Sequence, residues 1–128
     1  MKLDEKARYA KTHEWARKEG DVLVVGISDH AQENLGDIIF VDLPQPGLNF
    51  KRGAVFGVVE SVKAASDLYL PVSGKIKARN ETLTSAPEKV NKDCYGEGWM
   101  ITVEPENGEE FDALLSPGEY TQIAALEE

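Results

Sequence analysis

The chain of 128 residues is long enough to form one domain with its own hydrophobic core, and we interpret residues 1–128 as a single domain. Its 23 acidic and 14 basic residues give a formal net charge of −9, which argues against binding to nucleic acid or to an anionic membrane surface. The only cysteine, Cys94, excludes an internal disulfide, and no apolar run approaches the roughly 20 residues that a membrane helix requires.

The N-terminal third predicts three strands and one helix. The opening stretch MKLDEKARYAKTHEW mixes acids with bases and lacks the apolar segment of a secretory signal, so we expect a cytoplasmic protein or a mature form without its leader. Residues 7–17 and 22–27 suit two strands, joined by a polar turn at 18–21. Residues 28–36 suit a short helix that Ser28 or Asp29 caps and Gly36 ends. Residues 37–42 form the next strand, and Pro44 and Pro46 prevent it from continuing.

A second predicted hairpin presents a lysine at its tip. The apolar runs at residues 55–59 and 68–72 suit two strands, and the residues between them are small or polar except for Val62. The turn falls near Lys63, whose nearest charged neighbours along the chain are Glu60 and Asp67. Such a lysine lacks the burial or the cationic neighbour that makes a lysine nucleophilic. The pattern therefore favours an amine that another enzyme acylates.

The C-terminal half continues the β pattern and ends in helices. Residues 75–80 alternate charged and apolar side chains as a half-exposed strand does, and residues 99–103 form the last strand. Residues 84–90 predict a helical turn capped by Ser85, followed by a loop at 91–98. Residues 109–115 predict a helix, and the S-x-x-E pattern that begins at Ser116 predicts a C-terminal helix. The succession of short strands and glycine turns predicts an antiparallel, mainly β architecture.

Four long blocks of sequence carry a resemblance to a known family. They are HEWARKEG, GISDHAQENLGDIIFVDLP, ESVKAASDLYLPVSG and NKDCYGEGWMITVEP, in that order along the chain. With them the chain resembles the lipoyl carrier of the glycine cleavage system, the H-protein family. The resemblance implies a barrel-sandwich hybrid of two antiparallel sheets, like other lipoyl and biotinyl carriers, with short helices and a C-terminal helix. It also implies that Lys63 is the lipoylated lysine.

The same resemblance implies a role and a set of partners. Lipoate in amide linkage to Lys63 would carry the aminomethyl group of glycine from a glycine decarboxylase (P protein) to an aminomethyltransferase (T protein). A dihydrolipoamide dehydrogenase (L protein) would reoxidise it, and a lipoate ligase or lipoyl transferase would attach it. The chain would be a carrier and not an enzyme, and a monomer is the simplest state for a protein that meets several partners in turn. The family further implies a sheltering cleft at Thr12, Glu14 and Asp67, with His30 near it.

Several alternatives remain open from the residues alone. A biotin carrier usually presents its lysine between methionines, whereas Val62 and Ala64 flank Lys63, and the lipoyl domains of 2-oxoacid dehydrogenases are generally shorter. Within the family, the chain could be a relay that donates lipoate to other complexes. From other classes, it could be an enzyme with Lys63 as nucleophile or a binding module that is never modified.

The spacing of the two histidines along the chain predicts no metal site. His13 and His30 are far apart along the chain and lack a ligand spacing such as HExxH, so a zinc site is not expected. Because Ser28 or Asp29 caps the predicted helix, His30 falls in its first turn, where we expect an exposed side chain without a catalytic role.

Overall fold

A computed structural model describes residues 1–127 as nine strands and five short helices. The strands are β1 Ala7–Tyr9, β2 Glu14–Glu19, β3 Val22–Ile27, β4 Ile38–Asp42, β5 Asn49–Phe50, β6 Val55–Ser61, β7 Ala65–Tyr69, β8 Gly74–Arg79 and β9 Ile101–Pro105. The helices are α1 Asp29–Leu35, α2 Thr82–Ser85, α3 Lys89–Lys92, α4 Glu109–Asp112 and α5 Pro117–Ala125.

Two antiparallel sheets form the framework. The larger has the order β1-β2-β3-β9-β8-β5, and the smaller has the order β4-β6-β7. The predicted fold class is therefore confirmed: mainly β, with two antiparallel sheets, short helices and a C-terminal helix. None of the helices within residues 1–127 is long and apolar enough to cross a membrane.

Both faces of the larger sheet are covered, as β3 shows. Because side chains alternate along a strand, Leu23 and Val25 point into the main core, where Leu68 and Leu70 are also buried. Val24 points the other way, into a second cluster that contains residues of β1, β2 and α5: Ala7, Tyr9, Trp15, Tyr120 and Ala124. This double burial explains why β3 (VLVVGI) is a nearly continuous apolar run.

The first predicted hairpin is confirmed, but its leading strand is interrupted. Residues 7–17 divide into β1 and β2 because the chain turns between them, with the amide of His13 donating to the carbonyl of Ala10 at 3.0 Å. His13 lies at φ +84°, a left-handed conformation that a strand does not accommodate. The predicted single strand is therefore wrong at residues 10–13.

The predicted helix caps are mostly confirmed. The Ser28 hydroxyl accepts from the Ala31 amide, and Gly36 ends α1 at φ +82°. The capping box of α5 between Ser116 and Glu119 is present. The cap predicted at Ser85 is wrong, because this residue is the last of α2, and the predicted single turn is two helices.

Other predicted boundaries shift by a few residues. The strand expected at 68–72 is β7, which runs earlier, and Pro71, which lacks an amide proton, lies beyond its end. The strand expected at 99–103 starts at Ile101, and the helix expected at 109–115 ends at Asp112.

Candidate functional site

Lys63 lies in the tight turn between β6 and β7. The amide of Ser61 donates to the carbonyl of Ala64 at 2.7 Å, which leaves Val62 and Lys63 as a two-residue loop. The Ser61 hydroxyl oxygen also accepts from the amides of Lys63 and Ala64, at 3.3 and 3.1 Å. Ser61 therefore holds the loop backbone while the side chain of Lys63 stays exposed.

The connection between α1 and β4 contacts this turn and holds its backbone. The Val62 amide donates to the carbonyl of Asp37 at 3.0 Å. A Cβ atom placed on Gly36 would lie 3.4 Å from Cε of Lys63, so the lysine stem passes close to the end of α1. A larger residue than glycine at position 36 would crowd the stem as well as strain the backbone.

Asn91 of α3 fixes that supporting connection, a role that sequence reasoning missed. Its side-chain amide donates to the carbonyl of Gly36 at 2.9 Å, and its side-chain oxygen accepts from the Ile38 amide at 2.8 Å. Asn91 thereby replaces the backbone partners that the chain lacks where it leaves the helix and enters the strand. No local pattern signals this contact, because the partners are 53 and 55 residues away.

The amine of Lys63 is available for modification. Within residues 1–127, no hydrogen bond or ion pair engages its Nζ atom. The neighbours that follow, Ala64 and Ala65, are small and exposed. A modifying enzyme could therefore surround the turn without meeting a bulky side chain on that side.

Asp67 lies on the same hairpin as Lys63. It pairs with Val58 in the β6–β7 register and points to solvent, while the next residue, Leu68, points into the core. Alternation along β7 accounts for both orientations.

Glu14 is buried at the other end of β7 and is hydrogen-bonded to Thr12, which is exposed. The Thr12 hydroxyl donates to Oε1 of Glu14, and the Tyr69 amide donates to Oε2 at 3.0 Å. The Glu14 side chain is 2% exposed, and burial raises its pKa to about 7, although both hydrogen bonds act in the opposite direction. Burial therefore brings the pKa of the Glu14 carboxyl group close to neutral pH.

A cavity of about 530 Å³ opens beside this pair. Thr12 and Tyr69, the two partners of Glu14, line it together with Arg52. Glu14, Lys63, Asp67 and His30 are not among its lining residues. The structure thus joins Thr12 to Glu14 through a hydrogen bond and places Lys63 and Asp67 on one hairpin, and it packs His30 against His13.

His30 is not the exposed first-turn residue that we expected. It is 5% exposed and packs against His13, with ring centroids 5.0 Å apart. The expectation that the two histidines lie apart is also wrong, because the turn at residues 10–13 brings His13 back to α1. Separation along the chain does not measure distance across a folded sheet.

The two antiparallel sheets and the lysine-tipped hairpin define the class, a mainly β protein with the fold of a lipoyl carrier. A family model described as glycine cleavage H-protein matches residues 7–127. The glycine cleavage system H protein of Rubrobacter xylanophilus is 56% identical over 120 residues, which cover 94% of this chain and 93% of that protein. The H protein of an Anaeromyxobacter species is 47% identical over the full length of both chains.

A solved structure agrees with the sequence comparisons. The crystal structure of a glycine cleavage system H protein from Mycobacterium marinum superposes with a TM-score of 0.86 at 36% identity, over 94% of this chain and 97% of that one. The chain belongs to the glycine cleavage H-protein family, the lipoyl-bearing carrier component of the glycine cleavage system.

Proposed function

We propose that Lys63 is the lipoyl attachment site of this chain, which acts as one non-catalytic carrier domain. The observation that carries the proposal is the exposed lysine in a two-residue loop whose backbone is held by Ser61. When bound, lipoate supplies a dithiolane that accepts the aminomethyl group of glycine and is reoxidised after the group has been transferred. The residues present fit the group, since the amine is unengaged and the side chains after it are small.

The chain's own contribution is to present the arm. Ser61 and the Asp37 carbonyl fix the loop backbone, so the arm pivots from a defined point. Tethering raises the effective concentration of the reactive end at each partner without any new contact. The partners are the glycine decarboxylase, the aminomethyltransferase, the dihydrolipoamide dehydrogenase and a lipoate ligase or transferase.

Exposed apolar side chains beside the loop favour docking there. Val62 is 67% exposed and Phe40 is 50% exposed, and Phe40 pairs with Glu60 at the end of β6. Apolar groups of this size at a protein tip gain from burial against a partner. A monomeric carrier leaves this tip free for each partner in turn.

Glu14, Thr12, Asp67 and His30 complete the proposal as residues near the arm's resting place. A carboxyl group with a pKa of about 7 favours its ionised form when a cation approaches. Glu14 can therefore attract the ammonium end of an aminomethyl group, and the exposed carboxylate of Asp67 can do so from the hairpin. Thr12 holds one Glu14 oxygen, and His30 contributes packing at the start of α1.

Reconstitution with a glycine decarboxylase tests the proposal. The lipoylated chain should support release of carbon dioxide from glycine, and Lys63→Arg, expressed with the same ligase, should support none. Lys77→Arg is the matched control, because Lys77 is an exposed lysine on β8. Full activity of Lys63→Arg would refute the proposal. A lipoylated chain that passes its lipoate to other proteins but is inactive with the decarboxylase would identify a relay instead.

A further inference from the structure

Two histidines and a glutamate converge where α1, the β1–β2 connection and the C-terminal end of the described chain meet. Nε2 of His13 lies 2.9 Å from Oε1 of Glu127, and Nε2 of His30 lies 3.5 Å from the same oxygen. One ligand-type atom from each of the three residues lies within 4.8 Å of the other two. Within residues 1–127, no other group of three such side chains meets that criterion.

The fold places these side chains with some rigidity. His13 is the one non-glycine residue among residues 1–127 with positive φ, at +84°, and hydrogen bonds on both sides of it close the turn. Its carbonyl accepts from the Ser28 amide at 2.9 Å, which joins the turn directly to the start of α1. His30 is in the first turn of that helix, and Glu127 follows the end of α5. A backbone hydrogen bond therefore joins the two segments that carry the histidines, whereas the Glu127 amide donates to the carbonyl of Ala124 at 3.2 Å.

A hydrogen-bond chain orients the His13 ring. Nδ1 of His13 lies 2.6 Å from the hydroxyl of Tyr120, which lies 2.7 Å from the hydroxyl of Ser28. Tyr120 is fully buried and stacks on Tyr9, with ring centroids 4.4 Å apart. Metal-bound histidines are oriented in this way, with the second ring nitrogen engaged by a fixed polar partner. The arrangement leaves Nε2 of His13 facing Glu127 and His30.

We propose that Nε2 of His13, Nε2 of His30 and a carboxylate oxygen of Glu127 bind one Zn²⁺ or a similar divalent transition-metal ion. Two imidazoles and one carboxylate are a common ligand set for zinc, and water would complete a tetrahedron. With bonds of about 2.0–2.1 Å, ligand atoms in such a tetrahedron are ~3.4 Å apart. The two distances to the Glu127 oxygen, 2.9 and 3.5 Å, bracket that value.

Two local changes accompany binding. Without metal, the Nε2 proton of His13 donates to Glu127, and Nδ1 accepts from the Tyr120 hydroxyl. With metal, the ring takes the other tautomer, in which Nδ1–H donates to the Tyr120 oxygen and Nε2 offers its lone pair. The amide of Asn34, 3.1 Å from Nε2 of His30, swings away, which its exposed position permits. No proton needs to leave the protein if His13 starts out neutral.

The ion would fasten the end of the chain to the body of the protein. The side chain of Glu127 is 41% exposed, so an ion can reach the site from solvent. The bound ion would join Glu127, the second residue after α5, to α1 and to the turn before β2. None of the three ligands belongs to the lysine loop, so zinc binding and the proposed lipoylation are tested separately.

Isothermal titration with zinc chloride tests the site. The tag-free chain of 128 residues is used with Lys63 unmodified, so that no lipoyl dithiol offers sulfur ligands. We expect one zinc ion per chain, with an affinity at least tenfold weaker in Glu127→Gln and in His13→Asn. Asparagine tolerates the left-handed backbone at position 13, so this variant should still fold. The matched control is Glu5→Gln, which removes one exposed carboxylate near the N-terminus.

Thermal unfolding supplies a second measurement. An ion that binds only the folded chain raises its melting temperature, so zinc should stabilise the wild type and Glu5→Gln but not Glu127→Gln. Melting in the absence of metal checks that each variant is folded. The proposal is overturned if the wild type does not bind zinc, or if either site variant binds it as tightly as the wild type. A tenfold loss in Glu5→Gln would also overturn it, because the binding would then reflect overall charge.

Discussion

Replacing Glu14 by glutamine should remove most of the pH dependence of stability that this residue causes. The carboxyl group is 2% exposed and keeps two hydrogen bonds, from Thr12 and from the Tyr69 amide. A glutamine side chain has nearly the same shape, and its oxygen can accept from Tyr69 while its amide donates to Thr12. The variant therefore isolates the effect of ionisation from the effect of packing.

The magnitude follows from the raised pKa. Burial raises the pKa of Glu14 from 4.5 to about 7, so between these values the folded chain holds the proton more tightly than the unfolded chain does. The associated stability is fully present below pH 4.5 and is lost as the pH rises through about 7. Between pH 5 and pH 8, ionisation of Glu14 should therefore lower the free energy of unfolding by about 2–3 kcal/mol.

Urea unfolding, followed by tryptophan fluorescence at pH 5 and at pH 8, measures this difference. Glu14→Gln should gain about 2–3 kcal/mol relative to the wild type between the two pH values. Glu104→Gln, which replaces an exposed carboxylate on β9, should track the wild type. If the stabilities of wild type and Glu14→Gln run parallel from pH 5 to pH 8, the buried carboxyl does not titrate as argued.

Three further predictions concern the scaffold. A Cβ on Gly57 would overlap the Asp42 carbonyl oxygen on β4, so Gly57→Ala should lower the free energy of unfolding by about 2–4 kcal/mol, measured by urea titration. Ser116→Ala removes the hydroxyl that caps α5 and should cost about 1 kcal/mol in the same assay. Burial raises the pKa of the Cys94 thiol to about 12, so a thiol reagent should modify the folded chain far more slowly than the urea-unfolded chain.

Each of these predictions has a control or a contradicting result. Gly108→Ala is the match for Gly57, because a Cβ there meets no atom within 4 Å, and it should change stability by less than about 0.5 kcal/mol. Equal effects of the two glycine variants would contradict the steric argument. An unchanged stability in Ser116→Ala would mean that the cap contributes nothing. Equal labelling rates of folded and unfolded chain would mean that Cys94 is accessible.

Local chemistry made part of this fold predictable. Ser28 and Gly36 delimit α1 because a hydroxyl cap and a left-handed glycine act within one turn of the helix. The hairpin around Lys63 is predictable because two apolar runs on either side of a small polar turn form a local sequence pattern. The predicted second strand begins three residues after the observed start of β7 because the polar face of β7, which includes Asp67, resembles turn sequence.

Contacts between distant residues could not be predicted in the same way. The burial of Glu14 depends on the Tyr69 amide, and the support beneath Lys63 depends on Asn91. The contact of His13 with His30 depends on the left-handed backbone of His13, a conformation that non-glycine residues adopt only uncommonly. Each of these contacts arises from the packing of two distant segments. Residue types and their spacing along the chain do not predict such packing.

Mass spectrometry of the chain after coexpression with a lipoate ligase tests the central claim most directly. The account predicts a single lipoyl increment in the intact chain, located by peptide mapping on Lys63, and no increment in Lys63→Arg. Lys77→Arg should carry the same increment as the wild type. An increment on another lysine, or a chain that remains unmodified beside an active ligase, would contradict the account.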